Sequence, residues 1–113
     1  MLRTAVGSAF CLFAANAMGA EKPTQFWNLT SSTVASLRLS HAGSGEYGDN
    51  VAVGDADGVD HDERVKIENL PSGRYDLELK LKGGRVCFAR NVEVVTGKLF
   101  SVEDKALTSC TKK

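Results

Sequence analysis

The segment from Asp55 to Glu63 holds the residues whose types and spacing are best suited to chemistry. It carries five carboxylates around one glycine: Asp55, Asp57, Asp60, Asp62 and Glu63. A hard cation such as Ca²⁺ takes about six to eight oxygen ligands, which an acidic loop can supply. One hypothesis is therefore a calcium site formed by these five residues, with Glu46 or Asp49 as an extra ligand.

The same segment does not follow the EF-hand pattern. Alignments that begin at Asp55 or Asp57 put Val59 at a ligand position, and one that begins at Asp60 puts Arg64 there. A calcium site would therefore need a loop of different geometry. The simpler interpretation is a solvated acidic loop in which Gly58 makes a turn. The sequence favours that interpretation, and calcium binding is the alternative.

His61 lies between two of these carboxylates and is one of only two histidines in the chain. A histidine beside carboxylates can act as a general base, but any acidic loop that contains a histidine has this composition. A zinc or copper site would need more nitrogen or sulfur ligands than the chain offers here. We therefore predict that the chain is not an enzyme and assign no catalytic residue. A small hydrolase centred on His61 is kept as a second alternative.

Residues 1–20 predict a secretory signal peptide. Arg3 gives a positive start, residues 4–14 are uncharged and mostly apolar, and a stretch of small residues follows. Cleavage is expected after Ala17 or after Ala20. Because the apolar run is shorter than the roughly 20 residues of a membrane helix, no membrane span is expected after cleavage. The prediction is a periplasmic or secreted protein with a single domain over residues 21–113.

Cleavage of the signal peptide also changes the cysteine count. Cys11 is lost with the signal peptide, and Cys87 and Cys110 remain. In an oxidising compartment such a pair is expected to form a disulfide. Closing a loop of about 23 residues restricts the unfolded chain by roughly 3 kcal/mol. A reactive or metal-binding pair is the alternative, but a bond that ties the tail onto a strand is the favoured interpretation.

The charge of the chain gives no reason to expect a nucleic-acid partner. The chain has 14 Lys and Arg against 14 Asp and Glu, and loss of Arg3 leaves the mature protein with a net charge of about −1. Charge is unevenly distributed, since Glu46 to Glu63 contains seven acidic residues and no Lys or Arg. The expected partner is an unidentified envelope or extracellular protein or ligand.

The second half of the chain predicts antiparallel strands. Tyr75, Leu77, Leu79 and Leu81 alternate with charged residues, and a period of two is typical of a strand. Gly83-Gly84 predicts a tight hairpin turn into a return strand over 85–95. With strands near 65–67 and 98–103, this half is expected to form an antiparallel meander.

In the return strand, four apolar residues are expected on one face: Val86, Phe88, Val92 and Val94. Arg90 interrupts them, and either a β-bulge near Arg90 and Asn91 or a shift of the strand between sheets would account for the pattern. Cys87 falls on the face opposite Phe88.

The first half has a weaker strand pattern. Strands are expected around 26–29 and 33–40, with a further short one in 47–53. About six or seven short strands and no helical segment predict an all-β fold, a small antiparallel β-sandwich with one disulfide. Trp27, Tyr47 and Tyr75 could line a glycan or peptide site, but the chain has only eight aromatic residues, and the core is the favoured assignment for these three.

Two stretches, 65–77 and 91–94, resemble carboxypeptidase regulatory-like and transthyretin-like domains. These are non-catalytic β-sandwich modules in which an N-L-P-x-G-x-Y turn, here Asn69 to Tyr75, joins two strands. The resemblance covers the chain from residue 65 onward. It implies the fold and no particular ligand.

The chain as a whole resembles a group of short, signal-bearing bacterial proteins of uncharacterised function. The resemblance rests on 26–30, 37–44, 47–48 and 75–77. This chain has Tyr47 where the group usually has Trp, and Gly73-Arg74 where a cysteine commonly precedes the Tyr-Asp pair. The resemblance implies export and a β-sandwich, and it supplies no established activity.

These observations predict a non-enzymatic exported β-sandwich that acts as a binding or structural module in the cell envelope. An exposed sheet edge, or loops at one end of the sandwich, would make the contact. A calcium-dependent module that uses the acidic loop 55–63 is the alternative function.

Overall fold

The structure, a computed structural model, describes residues 22–52 and 58–111. The predicted signal peptide, residues 1–20, lies outside the described residues. Six strands and one short 3₁₀ turn form the described part: β1 (Thr24–Leu29), β2 (Val34–His41), β3 (Arg64–Ile67), β4 (Gly73–Leu81), β5 (Val86–Val94), β6 (Leu99–Glu103) and the turn Asp104–Ala106. In this part of the chain no helix has the length and apolar character needed to cross a membrane.

The strands form two three-stranded sheets, in the orders β3-β1-β6 and β2-β4-β5. One buried cluster joins them, with Phe26 and Phe100 from the first sheet and Leu37, Leu77 and Leu79 from the second. The predicted β-sandwich is therefore confirmed, with six strands in the described residues. β5 contacts β6 at one side of the sandwich, so the strand orders put β2 and β3 at the opposite side.

The predicted antiparallel meander is wrong. Only β4 and β5 form a hairpin, through Gly83 and Gly84, whose φ angles are +102° and +100°. β3 pairs antiparallel with β1, and β6 pairs parallel with β1, so the chain crosses between the sheets after β1, β2, β3 and β5. Residue alternation shows which side chains face the core, but it does not specify the neighbouring strand.

The assignment of all three aromatics to the core is also wrong. Tyr75 is buried, but Trp27 and Tyr47 do not belong to the core cluster. Trp27 alternates with buried Phe26 and therefore lies on the outer face of β1, where its Nε1 donates to Asp62 at 3.0 Å. The guanidinium of Arg64 lies 4.6 Å from the centre of its ring.

The β-bulge predicted near Arg90 and Asn91 is confirmed. The pairing of β4 with β5 passes from Tyr75 opposite Val92 to Leu77 opposite Ala89. The extra residue reverses the direction of the side chains along β5. Phe88 lies opposite the partly exposed Glu78 on the outer face, whereas Val94 is buried. The expectation that these two residues share a face, together with Val86 and Val92, is therefore wrong.

The last described residues cover the outer edge of β5. Phe88 and Thr108 exchange two backbone hydrogen bonds of 2.9 and 2.7 Å, and Thr111 N–H donates to Val86 at 2.8 Å. The Cys87–Cys110 disulfide, which the sequence predicted, holds this tail in place. A covered edge cannot pair with another chain.

The outer edge of β2 is covered by the segment 48–52. Gly48 N–H donates to Leu39 O at 3.0 Å, and Val51 N–H donates to Leu37 O at 2.8 Å. Between them the Asn50 side chain replaces a backbone carbonyl, since its Oδ1 accepts from Leu37 N–H at 2.8 Å. For this reason the described part of the predicted strand at 47–53 is not a strand.

Asp76 holds the bulge of β5 and the loop after β2. Its Oδ2 accepts from Gly43 N–H at 3.0 Å and its Oδ1 accepts from Asn91 N–H at 2.9 Å. These two bonds hold the pKa of Asp76 below its ordinary value, and Arg90, whose Nη1 lies 3.8 Å away, adds to the effect. The sequence showed Asp76 only as one of the charged residues that alternate along β4.

Asp76→Asn is expected to lower the free energy of unfolding at pH 7 by about 2 kcal/mol, because a charge-assisted hydrogen bond is lost. The folded-state pKa lies below the unfolded one, so this stabilisation is present above roughly pH 4 and is lost as the pH falls through the folded-state pKa. Urea unfolding from pH 7 into the acid range measures both effects. Glu93→Gln, an exposed change on β5, is the control. An acid dependence in Asp76→Asn as steep as in the wild type would contradict the role of Asp76.

Candidate functional site

The structure describes three of the five predicted calcium ligands. Asp60, Asp62 and Glu63 lie in the described part of the chain, and Asp55 and Asp57 lie outside it. In residues 22–52 and 58–111, no three His, Cys, Asp or Glu side chains are grouped so that they could hold a metal ion. Calcium binding here would therefore require Asp55 and Asp57, and it stays a prediction.

Each of the three described carboxylates bonds to the protein itself. Asp60 Oδ1 accepts from Thr33 Oγ1 at 2.9 Å, and Asp62 Oδ1 accepts from Trp27 Nε1 at 3.0 Å. Glu63 Oε1 accepts from the N–H of Asp60 at 2.9 Å. These bonds shape the turn that leads into β3, so the acidic residues have a structural role that does not need a cation.

Gly58 is required by a close backbone approach. The residue after it, Val59, exchanges two 2.9 Å hydrogen bonds with Val34 at the start of β2. The φ angle of Gly58 is +103°, and a Cβ atom there would overlap Val34 O and lie 2.9 Å from Ala35 Cα. The glycine that suggested a cation loop in the sequence therefore serves to bring the chain onto the edge of β2.

His61 is exposed, and its Nδ1 lies 2.7 Å from the carbonyl oxygen of Thr30. Because a carbonyl oxygen only accepts, Nδ1 carries the proton in this contact and Nε2 is left for solvent or a ligand. This contact ties the histidine to the turn after β1. The hydrolase hypothesis centred on His61 stays a prediction.

The Asn28-x-Thr30 pattern that contributed to the resemblance has a structural role. Asn28 is fully buried, and its Nδ2 donates to Ser32 O and Val59 O, each at 2.8 Å. Its Oδ1 accepts from the N–H and the hydroxyl of Thr30 at 2.9 and 2.7 Å. One side chain therefore holds the turn after β1 and the segment that returns to β2.

The structure also contains a groove that the sequence did not indicate as a site. It has a volume of about 330 Å³ and opens between the sheets on the side where β2 lies beside β3. We call it the edge groove. Its lining is mostly apolar and comes from both sheets and the loops between them: Leu39, Val51, Ile67, Leu70, Pro71 and Tyr75.

Hydrogen bonds fix both walls of the edge groove. The wall formed by 46–51 is held to β2 by the backbone bonds of Gly48 and Val51, and Arg38 Nε donates to Gly48 O at 2.9 Å. The opposite wall, at Leu70 and Pro71, is held by hydrogen bonds from the side chains of Tyr75 and Thr96. Fixed walls lower the ordering cost that a ligand must overcome.

The second wall depends on Tyr75. Its hydroxyl donates to Pro71 O at 2.7 Å, and Thr96 Oγ1 donates to Leu70 O at 3.0 Å. Burial raises the pKa of the Tyr75 hydroxyl above its ordinary value. The chain enters this wall through Asn69, whose φ angle of +59° is a left-handed conformation that asparagine tolerates. The turn predicted at 69–73 therefore forms one side of the groove.

The polar lining of the edge groove is acidic. Glu46, Asp49 and Glu68 line it together with His41, whose ring stacks on Tyr75 at 5.1 Å. No Lys or Arg lines the groove, and the described residues form no ion pair with these three carboxylates. From the sequence, Glu46 or Asp49 was expected only as an extra calcium ligand. The lack of basic residues between 46 and 63 is the one sequence signal of this acidic lining, and it does not indicate a groove.

The edge groove continues along β3. Ile67 and Glu68 also line a second hollow with Asn50 and Lys66, and a third one with Lys22 and Pro23. The edge groove and the second hollow therefore lie next to each other at the edge of β3, whereas the third hollow lies on the side of β3 that pairs with β1. That shape suits an extended ligand.

No protein-family model, curated protein or solved structure matches the chain. The resemblances described above therefore stay predictions.

Gly58→Ala is expected to destabilise the protein by about 1 to 3 kcal/mol more than Gly83→Ala, because only the first methyl group meets backbone atoms. The two glycines are closely matched, with φ angles of +103° and +102°, and nothing lies within 4 Å of a Cβ at Gly83. Urea unfolding of both variants measures the difference. Equal losses would show that the approach to Val34 does not require a glycine.

The calcium hypothesis predicts a higher melting temperature in Ca²⁺ than in chelator. A cation at one hundred times its Kd would add about 2.7 kcal/mol to the free energy of unfolding. Differential scanning calorimetry of the wild type and of Asp57→Asn compares the two conditions. Wild-type melting curves that superimpose in Ca²⁺ and in chelator would contradict calcium binding. If Ca²⁺ raised the melting temperature of Asp57→Asn as much as that of the wild type, the cation would bind elsewhere.

Proposed function

We propose that the chain is a non-enzymatic, exported binding module of the cell envelope whose ligand binds in the edge groove. The observation that carries this proposal is an apolar groove with both walls fixed by hydrogen bonds within the protein. Binding sites are typically concave, mostly apolar and largely formed before the ligand arrives. Export is supported by the signal-peptide pattern, and the Cys87–Cys110 disulfide is consistent with an oxidising compartment.

The size of the groove limits what its apolar lining can contribute. Removing about 100 to 200 Å² of apolar surface from water is worth roughly 2.5 to 5 kcal/mol. A Kd of about 1 mM already corresponds to roughly 4 kcal/mol, and association has an additional entropic cost. The apolar lining therefore supports weak binding by itself, and a specific ligand would also use the acidic residues or the backbone of β3.

Leu70→Asp is expected to abolish binding, because it places a charge in the apolar lining. Immobilised mature protein is exposed to an envelope extract, and the retained proteins and small molecules are identified by mass spectrometry. Leu99→Asp is the matched control, since Leu99 is 40% exposed on the outer side of β6. The wild type and Leu99→Asp should retain the same ligand, and Leu70→Asp should retain at least tenfold less.

A second variant keeps this test informative if Leu70→Asp proves unstable. Val51→Phe fills the groove without adding charge and should also reduce retention, at a melting temperature that confirms folding. Retention of nothing by the wild type would contradict the proposal. Retention of the ligand by Val51→Phe at the wild-type level would also contradict the proposal.

A further inference from the structure

We infer that the ligand of the edge groove is an extended peptide segment that carries Lys or Arg beside apolar side chains and pairs with the edge of β3. This inference rests on the binding function proposed above. Three features of the described residues support it. They are the charge of the groove, the length of the concave surface, and the edge of β3 that faces away from β1.

The charge of the edge groove selects a cationic ligand. Glu46, Asp49 and Glu68 line it, and no basic side chain of the lining neutralises them. The ion pairs of the described residues join other carboxylates: Arg38 with Glu78, Arg90 with Asp76 and Lys105 with Glu103. A Lys or Arg side chain can lay its methylene groups on the apolar lining and hold its charge near these carboxylates.

The length of the concave surface favours a chain over a small molecule. From His41 and Tyr75 it runs past Ile67 and Glu68 to the second hollow, which Asn50 and Lys66 border. An extended peptide advances about 3.3 Å per residue and places alternate side chains on one side. Such a peptide can therefore put one side chain in the groove and another in the second hollow.

β3 offers backbone groups to this peptide. In residues 22–52 and 58–111 it pairs with β1 alone, whereas segment 48–52 covers β2 and the tail covers β5. β6 also pairs with β1 alone, but the edge groove lies beside β3. Addition of a strand to such an edge is a common mode of peptide recognition, in which the backbone gives affinity and pockets give specificity.

Lys66 sets which end of the bound peptide should carry the basic residue. It is exposed on β3 and borders the second hollow rather than the edge groove. A lysine on an edge strand disfavours pairing between two copies of the same edge. A basic residue of the peptide is therefore expected beside Glu46, Asp49 and Glu68, and a neutral or acidic residue beside Lys66.

Selection from a random nonapeptide display library tests the inference without assuming a sequence. The mature wild-type protein is the target, and Leu70→Asp is used for counter-selection. The enriched peptides should carry Lys or Arg flanked by alternating apolar residues. Enrichment of acidic or uncharged peptides, or no enrichment, would overturn the inference.

Synthetic copies of an enriched peptide then separate charge from strand pairing. Asp49→Asn and Glu68→Gln should each raise Kd roughly threefold, as expected for an exposed ion pair, whereas Glu93→Gln should leave it unchanged. N-methylation of alternate peptide nitrogens should raise Kd more than tenfold, and the intact peptide should slow hydrogen exchange at amides of residues 64–68. Equal affinity of the N-methylated copy, or of a simple alkylamine, would show a small-cation pocket instead.

The two proposals fail separately. If an envelope ligand depends on Leu70 but library peptides do not bind, the peptide inference fails and the binding function stands. If retention of the envelope ligand is the same in Leu70→Asp, Val51→Phe and the wild type, the binding function itself fails.

Discussion

The fold depends on how the backbone groups at the edges of two small sheets are satisfied. Two three-stranded sheets have four edge strands and only two central ones, so most of the strands carry an open row of N–H and C=O groups. Segment 48–52 and Val59 cover β2, and the disulfide-bound tail covers β5. The edges of β3 and β6 keep β1 as their only partner in the described part of the chain. The edge groove lies where the covered edge of β2 meets the edge of β3.

Two buried polar side chains organise the segments around this framework. Asn28 and Asp76 each accept two hydrogen bonds at the points where the chain leaves a regular strand. A buried polar group is costly unless it is satisfied, so each of these residues favours one arrangement of the chain around it. Asn28 holds the return of the chain to β2, and Asp76 holds the bulge in β5. The positions of the loops therefore depend on specific side chains as well as on apolar packing.

The parts of the fold that could be predicted from the sequence are those set by neighbouring residues. The alternation in β4, the Gly83-Gly84 hairpin and the bulge at Arg90 each leave a local pattern. The pairing of β6 with β1 leaves none, because it depends on where distant segments cross between the sheets. The site was missed for the same reason, since Leu39, Val51 and Leu70 meet only in the folded protein. Three of the predicted cation ligands, Asp60, Asp62 and Glu63, accept hydrogen bonds from Thr33, Trp27 and a backbone N–H. The composition of the loop cannot show these bonds.

The position of β1 has a consequence for the order in which the protein folds. β1 is the first strand in the chain, yet its partners are among the later ones, since Gln25 lies opposite both Lys66 and Leu99. Bringing such distant segments together costs loop entropy before any contact compensates for it, and proteins dominated by distant pairings fold in milliseconds to seconds. The first sheet can therefore close only after the chain has been synthesised as far as β6. Until then β1 can pair with β3 alone, and its other edge stays open.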